Sequence, residues 1–192
     1  VPLFGAVPGG GYAGNALCAR HYEGAGKVTG TITLDGKARK ISGSGFRDHS
    51  WGERNWQSID YWRWLWGHTD NDNLFNLIVL QAGGGPVQVN GIVLKDGELS
   101  LITEMTVKGV YHADADAHLD TIELNCVLKD GSPMTATLSP RSSVALRHLK
   151  NGELIRIVES LAEGTWDGRP IVGWTEIADR IEDGVPFGNA VA

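Results

Sequence analysis

Asx-Gly pairs punctuate the chain, among them Asp35-Gly36, Asp96-Gly97, Asp130-Gly131, Asn151-Gly152 and Asp167-Gly168. Asp-Gly and Asn-Gly tolerate the positive φ that a two-residue hairpin turn of type I′ demands at both central positions. Mixed apolar and polar runs flank each pair, so the chain reads as a meander of antiparallel strands. The gaps between pairs are unequal, which excludes a repeat architecture. Alternation supports the strands. Val28, Gly30, Ile32 and Leu34 alternate with Thr29, Thr31 and Thr33. Over Tyr61 to His68, Trp62, Trp64, Trp66 and His68 share one face and Tyr61, Arg63, Leu65 and Gly67 the other. Leu154, Ile157, Val158 and Leu161 fit a helical spacing, but hairpin turns flank them and a strand is expected. A long antiparallel sheet removes its edges by closing or folding over. The prediction is an all-β barrel or sandwich of eight to ten antiparallel strands over 27–182. An irregular Gly-rich lead-in spans 1–26 and a tail spans 183–192. A barrel of that size can hold one small apolar ligand.

Composition narrows the function classes. The 192 residues suffice for one substantial core, with 42% hydrophobic and 21% charged residues. The net charge of −6 has the wrong sign for nucleic acid or an anionic membrane. No apolar run is long enough to span a bilayer, and no basic stretch followed by an apolar run opens the sequence. Cys18 and Cys126 form neither a disulfide framework nor a metal motif, so a reducing cytoplasm is expected. The first residue is Val1, not Met, which is the start expected of a processed or excised piece.

Tryptophan is the second bias. Five of the seven (Trp51, Trp56, Trp62, Trp64, Trp66) fall between positions 51 and 66. They form either a heavy core layer or the wall of a pocket. Just before them runs Arg47-Asp48-His49-Ser50-Trp51-Gly52-Glu53-Arg54-Asn55-Trp56, the densest polar stretch. Histidine is the side chain that changes protonation most easily near neutral pH, and Asp48 in a bulge or tight turn would orient the His49 ring. The plainer reading is a buried polar clasp of Asp48 with Arg47 or Arg54. Near the end, Trp174 and Glu176 share a strand face. A carboxyl beside an aromatic is desolvated, which raises its pKa and suits a general acid. The alternative is a surface glutamate. Elsewhere, His112, Asp114, Asp116, His118 and Asp120 read as a solvated loop, not a metal site. Gly9-Gly10-Gly11-Tyr12-Ala13-Gly14 lacks the strand and Lys of a phosphate loop, and Ser139, Ser142 and Ser143 lack a nucleophile elbow.

Several motifs together resemble a known superfamily. They are Val28-Thr29-Gly30, then Gly43-Ser44-Gly45-Phe46-Arg47-Asp48-His49-Ser50-Trp51-Gly52, the Trp-rich strand from Tyr61, and Glu163-Gly164 with Gly173-Trp174-Thr175-Glu176. Over roughly 21 to 181 they resemble the hydroxyneurosporene synthase (carotenoid 1,2-hydratase) and AttH lipocalin-like superfamily. The resemblance implies a lipocalin-like barrel, the second half of a two-barrel protein. It also implies cofactor-independent chemistry on long apolar polyenes, since members include alkene hydratases and cyclases of the Diels–Alder type. His49 and Trp51 match the hydratase's functional His and Trp. The hydratase also uses an aromatic and an Asp on a following strand, where this chain reads Leu74-Phe75-Asn76-Leu77-Ile78. His21-Tyr22-Glu23, before the first strand, is similar to uncharacterised bacterial members.

The expectation is therefore an acid–base enzyme for an apolar terpenoid, polyene or polycyclic substrate, carrying out hydration, isomerisation or cyclisation without cofactor or metal. His49, Asp48 and Glu176 are its expected catalytic residues. Trp51, Trp56, Trp62, Trp64, Trp66, His68 and Trp174 are its expected pocket wall. The competing readings are a non-catalytic carrier of the same ligand class and a module that packs on a second lipocalin-like barrel or a second copy.

Overall fold

The computed structural model describes residues 2–4, 20–53, 55–70, 72–111 and 119–190. The fold is all-β. β1 (Pro2–Phe4), β2 (Arg20–Leu34) and β3 (Lys37–Trp51) form one small antiparallel sheet. β4 (Ile59–His68), β5 (Leu74–Ala82), β6 (Gln88–Lys95), β7 (Glu98–Tyr111), β8 (Leu119–Leu128), β9 (Pro133–Lys150), β10 (Glu153–Trp166) and β11 (Arg169–Glu182) follow as a meander. β11 pairs with both β10 and β4, which closes an eight-stranded barrel. The short β12 (Val185–Pro186) folds back and pairs antiparallel with the end of β11. Among the described residues no helix is long and apolar enough to cross a membrane.

The turn chemistry explains the meander. Both residues have positive φ at Asp35-Gly36, Asp96-Gly97, Asn151-Gly152 and Asp167-Gly168, and also at Asp183-Gly184. Asp130-Gly131 differs. Only Gly131 is left-handed there, and Asp130 instead accepts hydrogen bonds from the Ser132 N–H and hydroxyl. The segment with helical spacing, Leu154–Leu161, lies inside β10 as a strand.

The barrel interior is filled from all its strands. Leu65, Phe75, Leu77, Val93, Ile122, Leu124, Met134, Leu138 and Trp166 pack there, with the thiol of Cys126 pushed up to about 11 by burial. Deeper toward one end, Asp179 takes Arg63 at 2.8 Å and Arg156 at 3.3 Å, together with the Gly188 N–H at 3.0 Å. A cavity of about 230 Å³ opens at that end, bordered by Tyr61, Arg63, Met105, Val107, Ile122 and Ile177.

Two expectations shift. The barrel begins at Ile59, not at 27, because β2 pairs with β1 and β3, and neither β2 nor β3 joins the barrel sheet. The lead-in expected over 1–26 contains the strand β1 and overlaps β2, which starts at Arg20. The Gly9–Gly14 stretch, Cys18, Arg54 and His112–His118 lie outside the described residues.

Candidate functional site

Pairing partners show which side chains share the outer wall of the barrel. One row runs Val144, Glu159, Glu176, Trp64, Ile78 across β9, β10, β11, β4 and β5. The next runs Ser142, Leu161, Trp174, Trp66, Asn76, Ile92. Trp62 lies between Ala178 and Leu80, and His68 between Val172 and Leu74. The row of indoles thus faces outward, while Leu65 and its period-2 partners face the packed lumen. The expectation of a Trp-lined cavity inside the barrel is corrected here. Odd positions of β4 supply the lumen, and Trp62, Trp64, Trp66 and His68 are even.

The wall is roofed in part by the root of the β2–β3 hairpin. Phe46 stacks on Trp66 with ring centroids 5.2 Å apart and meets Trp64 edge-on at 5.7 Å. Ala25 and Phe46 also cover Leu74, Ile92 and Leu94. His68 stacks on Trp66 at 5.7 Å and lies 3.4 Å from the Ser44 hydroxyl; burial lowers its pKa, against the opposing charge of Asp70. Trp56 lies in a single 3-10 turn, Trp56–Ser58, and sits against Trp62 and His148.

Under this roof lies a carboxyl pair. Glu176 and Glu159 are direct cross-strand partners. Trp62 Nε1 donates to Glu176 at 2.6 Å, and Trp174 Nε1 donates to Glu159 at 2.7 Å. Burial pushes the Glu176 carboxyl well above the usual carboxylate range, and the charge and hydrogen bond of Glu159 push it further. The Trp62 N–H opposes the shift, and Asp48 adds to it. A second carboxyl so close disfavours ionisation of Glu176, in the same direction as its burial. The indole N–H of Trp64 is buried without a hydrogen-bond partner on the same row.

A second cluster occupies the hairpin root. Glu23 pairs directly across from Asp48, and His21 stands two residues before Glu23 on the same face. His21 Nε2 contacts Asp48 Oδ2 and lies 3.3 Å from Glu23 Oε1. Burial alone would lower the imidazole pKa, but the hydrogen bonds and charges of Asp48 and Glu23 raise it to about 9. Asn76, on the barrel wall, donates to Glu23 Oε2.

Strand alternation separates the expected pair Asp48 and His49. Asp48 faces the barrel and engages His21. His49 points to the opposite face of the hairpin, exposed, with Tyr22 at 3.3 Å and the exposed Trp51 beside it. No bulge interrupts β2–β3, so no local kink re-aims His49 toward Asp48. The structure therefore brings Glu176, Trp62, Trp64, Trp66, His68 and Trp174 onto one wall, with Asp48 above it. It leaves His49 and Trp51 outside, and Trp56 at the wall's far end.

Glu159, His21, Glu23 and Asn76 were not among the expected site residues, yet a signal for three of them exists. A two-residue turn at Asp35-Gly36 makes paired positions sum to 71, which sets Glu23 opposite Asp48. The turn at Asp167-Gly168 likewise sets Glu159 opposite Glu176. Period-2 alternation then places His21 beside Glu23. Asn76 carries no such signal, because its place depends on how the hairpin lies on the barrel.

No curated protein matches the chain. A family model matches it over residues 3–181, nearly its whole length, and takes in the hairpin, the carboxyl pair and the indole wall. The chain belongs to the family described as Domain of unknown function (DUF7064).

Proposed function

We propose that the protein is an acid–base enzyme for an apolar, unsaturated small molecule, a terpenoid, polyene or polycyclic compound. The substrate lies against the outer indole wall, at the edge of the β2–β3 roof. The observation that carries this reading is the Glu159–Glu176 pair. Burial and the neighbouring carboxyl hold Glu176 above the usual carboxylate range, beside the indoles of Trp62, Trp64 and Trp174. A carboxylic acid kept protonated by burial and a neighbouring carboxylate is poised to donate to an alkene carbon. Glu176 gives its proton to the alkene carbon, the Trp62 N–H stabilises the resulting carboxylate, the π faces of Trp64 and Trp66 stabilise positive charge on the substrate, and Glu176 regains its proton when the cation deprotonates or the added water releases one. The cation then loses a proton, takes water or closes a ring, giving isomerisation, hydration or cyclisation. The resemblance to polyene hydratases and cyclases points to the same substrate class. In this reading His49 has no part in proton transfer.

The test needs no known product. The protein is incubated in D₂O with a panel of linear polyenes and terpenoid alkenes, and deuterium incorporation is read by mass spectrometry. Incorporation that E176Q abolishes and H49A spares is the expected result. No incorporation with any substrate, or incorporation that survives E176Q, overturns the proposal.

A second reading has its own observation. The cavity of about 230 Å³ at the barrel end suits a carrier of one small apolar ligand. Competition separates the two sites. A ligand held there loses affinity when Met105 or Val107 is enlarged to Trp, and is indifferent to E176Q.

A further inference from the structure

We propose that His21, Glu23 and Asp48 bind one divalent transition-metal ion of the Zn²⁺ type, which ties the hairpin root to the barrel wall at Asn76. This inference stands independently of the acid chemistry proposed for Glu176.

The donor set comes first. One imidazole nitrogen and one oxygen from each carboxylate lie within 4.8 Å of one another. Ligands about 2.1 Å from one ion stand about 3.4 Å apart in a tetrahedron, and trans ligands of an octahedron stand about 4.2 Å apart. The three atoms therefore need only small side-chain rotations to share an ion. Their backbone is well placed to hold them. Glu23 and Asp48 are direct partners in an unbulged ladder, and His21 shares their face.

Charge comes second. The ion pairs of Glu23 and Asp48 both go to His21. Two carboxylates with a neutral imidazole carry −2, which a divalent ion balances and a single imidazole proton does not. Glu23 is only 4% exposed, so water screens little of that charge.

The third observation lies outside the cluster. Asn76 is 0% exposed. Its amide nitrogen is spent on Glu23, while its Oδ1 is buried with no hydrogen-bond partner. A buried amide oxygen left without a partner destabilises the fold. A cation beside Glu23 gives that oxygen something to face, and the Asn76 N–H fixes the ligating carboxylate as second-layer partners do in metal sites. An imidazole with carboxylate oxygens selects Zn²⁺, Mn²⁺ or Fe²⁺ over Ca²⁺ and Mg²⁺, which prefer all-oxygen shells.

The test uses the full chain, stripped with chelator and titrated with Zn²⁺ by calorimetry, with Co²⁺ as a spectroscopic probe. The expected result is one equivalent bound, a rise in melting temperature on adding Zn²⁺, and no competition from excess Ca²⁺. D48N lowers affinity at least about tenfold. Asp48 is exposed, so this variant keeps the fold, checked by circular dichroism. H21Q does the same from the other strand. Absence of binding shows a hydrogen-bonded histidine clasp only and overturns the proposal. Binding that survives both D48N and H21Q places the ion elsewhere and also overturns it.

Discussion

The β2–β3 and β10–β11 hairpins obey the same local rules and meet opposite fates. Each is long and unbulged, and each is closed by an Asp-Gly turn with positive φ at both residues. In β10–β11 the lumen side is sealed. Val158, Ser160, Ala162, Thr175 and Ile177 are all buried. In β2–β3 every residue from Gly26 to Lys40 is exposed. Val28, Ile32 and Leu34 alternate with threonines as a buried strand would, yet lie in the open. Alternation thus reports that a strand has two different faces, not that either face is covered. Coverage comes from closure, and only β10–β11 belongs to the closed sheet.

Breaking the barrel side of this comparison gives the largest effects. Asp179→Ala leaves Arg63 and Arg156 buried without their shared counter-charge, and is expected to cost about 3–5 kcal/mol, read from the urea midpoint. Gly173→Ala follows, because a Cβ there would overlap the Trp66 carbonyl across the β11–β4 ladder. Overpacking of this kind costs about 1–3 kcal/mol, and an unchanged midpoint would show that the ladder yields more readily than drawn.

The pH dependence sharpens the comparison at the point where hairpin and wall meet. His21 and Glu176 both have raised pKa values, so the folded state holds protons that the unfolded chain has released. Stability therefore falls as pH rises through each window. For His21, in metal-stripped protein, the window lies between 6.5 and about 9. H21A should remove that decline. For Glu176 it opens just above the ordinary carboxylate range, and E176Q should flatten it. Melting temperatures across the pH range distinguish the two. The smallest effect belongs to the distal hairpin. Gly30→Ala meets nothing within 4 Å and is expected to move stability by no more than about 0.5 kcal/mol. A larger loss would mean that the arm is covered in solution.

Much of the site was within reach of the sequence. Trp174 and Glu176 do share a face, and the upward shift of the Glu176 carboxyl follows from burial, as argued for a carboxyl beside an indole. The indoles at 62, 64 and 66 do form one row. Which side of the wall they occupy was not legible, since period 2 is the same for an inward and an outward row. His49 was misplaced by one residue of alternation. The imidazole that Asp48 engages is His21, across the hairpin, and not its neighbour in sequence.

Turn residues and alternation were local properties, and the sequence alone determined them: antiparallel strands, tight hairpins, and through the turn positions the cross-strand pairs Glu23–Asp48 and Glu159–Glu176. The tertiary structure decided where the sheet closes, which row faces the lumen, and how the hairpin lies over the wall beside Asn76. Those outcomes depend on contacts between strands far apart in the chain, which no turn dictates and which only the packing of the whole barrel selects.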